Sequence, residues 1–322
     1  MIQRAIHLVR CLLVDRTGQT LLMAAAILGL AGWCIDEPLP PENDQAFWYE
    51  KLSWRGNADA VILGDSRLHR GLSPKVMAAE LPGTRVLNFG FSSVEYSPEY
   101  LDAAERIFDQ RSRQKIALLG VTPHSLRDRR ESTNQFFRSS ETFTPFTHQK
   151  ARWLGWVERR WPALSRQVIE ALVRGRNRAS FKTRQHPDGW VESGDSQINP
   201  APLLAVYRRI QQQHPVDDRI IHVLLSRVRE WTSQGIHVYG FRPPTCPEME
   251  ETESDFSEAA FVEAFENAGG VWLTPSTPGL RTFDGSHLDA ESAMLLSTRV
   301  AHTIQVSQRL IAERPTDDSK PQ

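Results

Sequence analysis

Ala60-Val61-Ile62-Leu63-Gly64-Asp65-Ser66-Arg67 is the stretch whose reading decides the fold. Four apolar residues, β-branched at their centre, run without interruption into a glycine. Such a run reads as a strand buried on both faces, the setting of a parallel sheet covered by helices. Ligands of open α/β sheets sit just beyond the strand carboxyl ends. Gly64 permits a tight turn there, and Ser66 is the first hydroxyl presented above the sheet. The same residues also suit a plain strand-to-helix cap, with Asp65 or Ser66 bonding the next amides.

Downstream of it, short apolar runs at 86–89, 116–121, 236–241 and 271–273 read as four more strands. Between them lie helical patterns. Ser73-Pro74 opens one that runs to Leu81, with Ser73 as cap, and Ser97-Pro98 opens another that buries Tyr100, Leu101, Ala104, Ile107 and Phe108. Residues 219–234 place Ile220, Leu224, Val228 and Trp231 on one face, and 257–268 form a further helix. In the last helix Ala293, Leu296, Val300 and Ile304 face inward behind an Asp289 cap. Strands alternating with helices predict an α/β fold. The expected architecture is three-layer and flavodoxin-like, with a parallel sheet of about five strands.

Far downstream stands Phe283-Asp284-Gly285-Ser286-His287-Leu288-Asp289. An acid three residues before a histidine lets the carboxylate fold back onto the imidazole and set its tautomer for use as a base. With Gly64-Asp65-Ser66 and Asn88-Phe89-Gly90, this motif resembles the SGNH, or GDSL-type, hydrolase family. The resemblance spans roughly residues 59–304, with the blocks in the family's order. It implies Ser66 as nucleophile, His287 as base, Asp284 as its orienting carboxylate, and the amides of Ser66 and Gly90 as the oxyanion hole. The third block departs from the family. Leu119-Gly120-Val121-Thr122-Pro123-His124 has Thr122 where an oxyanion asparagine belongs, and one such donor is worth ~10²–10³ in rate. Membrane-anchored members that acylate or deacylate envelope polymers often lack this asparagine and read Gly-Asp-Ser-Arg in the first block. Arg67 and Thr122 are therefore candidate substrate-binding residues; Arg242, which leaves the carboxyl end of the strand at 236–241 on the same rim as Ser66, is a third, with a carboxylate pairing as its other fate.

The chain has 322 residues, 40% of them hydrophobic, with 38 Lys and Arg against 39 Asp and Glu. A formal net charge of −1 gives no global reason to expect a nucleic-acid partner. Cys11, Cys34 and Cys246 lack metal-ligand spacing, and no glycine-rich phosphate loop is present, so neither a metal nor an organic cofactor is expected. His69 and His124 lie near the expected site and read as partly exposed loop histidines.

Residues 17–35 carry no charge, long enough as a helix to reach about 28 Å. Arg4, Arg10 and Arg16 precede them; Asp36 and Glu37 follow. The positive-inside rule then puts 1–16 in the cytoplasm, 17–35 across the membrane as a signal anchor, and the bulk of the chain outside the cytoplasm, in the periplasm or at the cell surface. A cleaved signal peptide is the rival reading. Residues 36–57 read as a linker whose Phe47, Trp48, Tyr49 and Trp54 pack on the domain edge or at the lipid interface. The α/β domain covers 58–310, and 311–322 is a polar tail.

Within the domain the strand signal vanishes from about 125 to 214, which reads as a helical insertion. Residues 149–174 are expected to be helical and divided by Pro162, with Trp153, Trp156 and Trp161 among many arginines. Such a surface is either a solvated basic face or a contact for anionic headgroups, an acidic polymer or a membrane partner. Two functions follow. One is a serine-dependent esterase or O-acyltransferase acting on an acylated polysaccharide or other envelope ester, in company with a membrane acyltransferase. The other is an inactive protein of the same fold that binds polysaccharide or scaffolds such a transferase.

Overall fold

A computed structural model of the chain describes residues 19–20, 23, 44–128, 133–160, 183–194 and 198–312. Two compact units divide the chain. One comprises residues 1–46 and 145–179, the other 47–144 and 180–322.

Among the described residues the strands are β1 (Ala60–Leu63), β2 (Val86–Asn88), β3 (Lys115–Gly120), β4 (Thr183–Gln185), β5 (Val191–Ser193), β6 (Ile236–Phe241) and β7 (Val271–Trp272). The helices are α1 (Asp44–Ser53), α2 (Ser66–Gly71), α3 (Pro74–Glu80), α4 (Pro98–Glu105), α5 (Gln135–Thr142), α6 (Pro145–Arg160), α7 (Ala201–Gln213), α8 (Asp218–Ser233), α9 (Pro247–Thr252), α10 (Glu258–Asn267) and α11 (Ala290–Ala312).

Five strands make one parallel sheet in the order β2-β1-β3-β6-β7. The register sets Ala60 beside both Val86 and Ile116, Lys115 beside Ile236, and Tyr239 beside Val271. The chain order reverses at β1, where β2 lies to one side and β3 to the other, so the carboxyl end of β1 is the switch point of the sheet. Both faces are covered. Ala60, Ile62, Ile116, Leu118, Tyr239 and Phe241 pack in one cluster with Leu68, Leu72 and the inward face of α11, from Ala293 to Ile304. The alternating Val61, Leu63, Ala117, Leu119 and Val238 are buried as well.

The expected strands at 86–89, 116–121 and 271–273 each differ by a residue at one or both ends. The flanking residues still bond the neighbouring strand: Phe89 N–H to Ile62 O at 2.8 Å, Val121 N–H to Phe241 O at 2.9 Å, Leu273 N–H to Gly240 O at 2.7 Å. Ser73 precedes α3 as expected, but its side chain makes no capping bond, and its N–H is bonded by Ser297 Oγ.

Three larger expectations are corrected. First, the insertion holds an antiparallel hairpin, β4–β5, as well as helices. The Asp188-Gly189 pair is its sequence mark, the turn type that closes hairpins. Gly189 has φ +91°, and a side chain there would stand 2.1 Å from Asn88 O. Asn88 N–H in turn bonds Asp188 O at 2.8 Å, so the hairpin braces the end of β2. Second, the stretch expected as linker becomes α1 from Asp44, with Trp48, Tyr49 and Leu52 buried, as is Trp54 beyond it. Third, His69 and His124 are buried, at 1% and 5% exposure.

The expected anchor at 17–35 and the acidic residues up to 43 lie outside the described residues, apart from Gln19, Thr20 and Met23. No helix among the described residues is long and apolar enough to cross a membrane. The first unit contains α6, on which Phe146, Lys150, Arg152 and Trp153 are exposed. Pro162, Trp161 and the arginines that follow lie outside the described residues, as does the tail from 313.

Candidate active site

The turn after β1 is shaped by two glycines. Gly64 has φ +144°, and a side chain on it would meet Leu68 Cγ at 2.8 Å and Gly120 O at 2.9 Å. On Gly120 a side chain would meet Leu68 Cδ2 at 1.9 Å. Leu68 therefore seats in a notch that only glycines leave open, and this draws α2 down onto the strand ends. Asp65 caps α2, its Oδ1 accepting the Arg67 N–H at 2.9 Å. Ser66 opens the helix half-buried, between the fully buried Asp65 and Arg67.

The partner loop follows β7. Phe283 N–H bonds His287 O at 2.9 Å, closing a tight loop whose Gly285 has φ +88°. Asp284 Oδ1 accepts the N–H groups of Ser286 (2.9 Å) and His287 (2.8 Å). Its other oxygen, Oδ2, lies 2.7 Å from His287 Nδ1. The opposite ring nitrogen, His287 Nε2, lies 2.7 Å from Ser66 Oγ. A carboxylate only accepts, so Nδ1 carries the proton and Nε2 presents its lone pair to the serine hydroxyl. The ring stacks on Phe283 at 5.8 Å.

Burial of the imidazole lowers the His287 pKa, with Arg70 and Arg67 adding to it, and the Asp284 carboxylate opposes; the net shift is downward. Burial pushes the Asp284 carboxyl up, but the hydrogen bond and charge of His287 and two backbone N–H groups outweigh it and hold it below its ordinary range. At neutral pH the pair is thus a neutral imidazole beside a carboxylate, a form able to accept a proton from a hydroxyl.

The other expected site residues have different fates. Gly90 N–H is given to Asn88 Oδ1 at 2.9 Å, so it is not aimed at an oxyanion as expected. Asn88 is fully buried, and its amide also bonds Leu68 O and Leu72 O, each at 2.9 Å, which fixes this arrangement. The Gly90 carbonyl accepts the buried Lys51 Nζ at 2.6 Å. Thr122 is sealed from solvent. Its hydroxyl donates to Asp65 Oδ2 at 2.6 Å and accepts the Ser125 N–H at 3.0 Å, capping a 3₁₀ turn over Pro123–Leu126. A substrate group cannot reach it.

Arg67 is also buried, at 2% exposure. It forks onto Glu253 at 2.6 and 3.1 Å, and its Nε reaches Ser286 Oγ at 3.0 Å. Arg242 pairs with Glu258 at 2.8 Å and Glu253 at 3.2 Å, the carboxylate fate rather than the substrate-binding one. Three expected substrate contacts are therefore internal contacts, because each finds a buried acid or cap nearby. Cys246 is a free thiol whose pKa is raised, chiefly by burial.

Sequence reasoning missed Ser93. Among the described residues it is the one non-glycine with positive φ, at +54°. Such strain clusters at functional turns. Ser92 and Ser93 are half-buried between the buried Phe91 and Val94, and Phe91 N–H bonds Gly64 O at 3.1 Å, which sets this loop against the Ser66 turn. The paired serines are ordinary in sequence, and only the backbone marks them. No group of His, Cys, Asp and Glu side chains among the described residues is arranged to hold a metal ion.

No family model matches the chain, and no curated protein matches it. Among solved structures it is similar to one described as "a putative platelet activating factor from Streptococcus pneumonia", at 12% identity and a TM-score of 0.35, over 87% of this chain and 98% of that one. A likeness of that size carries neither fold nor function.

Proposed function

We propose that the chain is a serine-dependent acyl esterase or O-acyltransferase of the SGNH type. The observation that carries this reading is the continuous bond path from Ser66 Oγ through His287 to Asp284, both links at 2.7 Å, at the switch point of the sheet. In the reaction Ser66 Oγ attacks an ester carbonyl and its proton passes to His287 Nε2. The tetrahedral adduct collapses, the alcohol leaves with that proton, and the acyl group stays on Ser66. Water or a sugar hydroxyl then attacks the acyl-serine while His287 accepts its proton; the second adduct collapses, the acid or new ester leaves, and His287 returns the proton to Ser66 Oγ. Asp284 stabilises the imidazolium at both steps.

With the Gly90 N–H committed to Asn88, the oxyanion donor in this reading is the Ser66 N–H. The Ser66 N–H opens α2 and so has no intrahelical acceptor. The uncharged residues 17–35, with arginines before and acids after, support an anchored, extracytoplasmic enzyme acting on an acylated envelope polysaccharide, together with a membrane acyltransferase. A non-catalytic polysaccharide-binding role is the second reading, favoured by the bond of the Gly90 N–H to Asn88 and by a Thr122 hydroxyl held by Asp65 where the resemblance puts an oxyanion asparagine.

Incubation with a serine-directed fluorophosphonate and with a chromogenic acetyl ester, with and without acetylated glycans, separates the two. Covalent labelling and turnover that both need Ser66 support the enzyme. Glycan binding without label or turnover supports the second reading. A reporter fused after Pro41 and active only in the cytoplasm would overturn the envelope location.

A further inference from the structure

The two reacting segments are joined a second time, one residue away from the reacting atoms. Arg67 follows Ser66 and Ser286 precedes His287. Their side chains meet at 3.0 Å across 219 residues of chain. The same guanidinium forks onto Glu253, with side-chain exposures of 1% and 3%. It also lies 5.4 Å from the centre of the Tyr207 ring, while Ser286 Oγ donates to Tyr207 OH at 3.2 Å. Arg242, held by Glu258, supports Glu253 from outside.

A buried ion pair is a poor device for stability alone, since apolar side chains of like volume fill the same space at least as well. What the pair does supply is a fixed, planar, two-pronged geometry. Resting on the acyl-transfer reading above, we infer that the Arg67–Glu253 pair is a positioning element that holds the Ser66 turn and the His287 loop at reacting distance. Arg67 touches no reacting atom; it acts through Ser286 and its own backbone. Burial works against its charge, but Glu253, Tyr207 and Asp65 together outweigh that, so the guanidinium stays charged and sets part of the field at His287.

The test uses the full chain. Removing one partner leaves a buried charge, so the informative variant is the double Arg67→Met/Glu253→Met, which keeps volume and removes both charges. It should fold with a cooperative thermal transition, yet take the fluorophosphonate roughly 10–10²-fold more slowly, the scale of an ångström-sized misplacement. Ser286→Ala, which removes the Nε bond and the bond to Tyr207 but leaves the ion pair with Glu253, should slow labelling less. Labelling at the wild-type rate in the folded double variant overturns the inference. Should the double variant not fold, Ser286→Ala and Arg67→Lys decide by the same rate.

The His287 titration followed by NMR gives a readout that a purely structural role would not move in two directions. Arg67→Met should raise its midpoint and Glu253→Gln should lower it. An unmoved midpoint in both overturns the inference. A wild-type chain that takes no label ends the acyl-transfer reading, while the NMR arm still judges whether the pair acts on His287.

Discussion

The ends of β1 and β3 lie side by side on one rim, and each runs into a turn bearing a hydroxyl. Ser66 stays half-buried, and its Oγ meets a base delivered from 221 residues downstream. Thr122 is fully enclosed, and its hydroxyl serves the buried carboxylate of Asp65. The two turns even share that carboxylate: Asp65 caps α2 with one oxygen and holds Thr122 with the other. A hydroxyl at a strand end becomes chemically usable only where solvent and a base both reach it. Its neighbour is then part of the frame that holds it still.

The largest effect should come from the open turn. Ser66→Ala and His287→Ala should each abolish phosphonate labelling and lower ester turnover by at least ~10⁴-fold, with thermal unfolding close to wild type. Asp284→Asn should cost about 10⁴ through the wrong tautomer. Labelling that survives Ser66→Ala would remove the contrast altogether.

The closed turn should respond in the opposite currency, stability rather than rate. Thr122→Val leaves Asp65 Oδ2 buried without its donor and should cost about 1–3 kcal/mol in urea unfolding. Turnover per folded molecule should be retained. Thr122→Asn should likewise fail to raise turnover, because the position is sealed; a rise would show that the turn opens onto the site.

The acid limb of the pH profile sharpens the comparison further. His287 must be neutral to accept the serine proton, and its pKa is lowered chiefly by burial. kcat/KM should therefore be low in acid, rise with pH through a midpoint below the ordinary imidazole value of about 6.5, and stay level at neutrality. Asp284, held below its ordinary value, remains ionised over that window. Stability should rise with pH over the same window and be lost as the pH falls, since between the two His287 values the unfolded chain binds more protons than the folded one. An acid limb centred above 6.5 would place another group in the role of base.

Arg242 should show the smallest effect. Its side chain is 21% exposed and paired with Glu253 and Glu258. Arg242→Gln should cost at most about 1 kcal/mol, with KM for a chromogenic ester unchanged. A large rise in KM would return it to the substrate.

Much of this was legible in one dimension. The unbroken apolar run at 60–63, β-branched and closed by glycine, reads as a strand buried on both faces, which is the setting of a parallel sheet. The Asp284-x-x-His287 spacing is a local geometry, and the two residues meet through a loop short enough to be read from sequence. The hairpin at 183–193 was not read, because its strands are three residues long and carry little apolar signal, although the Asp188-Gly189 turn marks it.

Which polar groups face inward was settled by packing alone. Arg67, Thr122 and Arg242 have the composition of substrate contacts, and Gly90 sits where an oxyanion amide is expected. Each is instead taken by a partner distant in sequence: Glu253 for Arg67, Asp65 for Thr122; or by one that folds back, as Asn88 does on Gly90 and Glu253 and Glu258 do on Arg242. Side-chain chemistry is local, whereas burial and pairing depend on which strand end comes to lie beside which. The residue types therefore specified the Ser66–His287–Asp284 set, and the packing of the rim determined which of its neighbours hold that set in place.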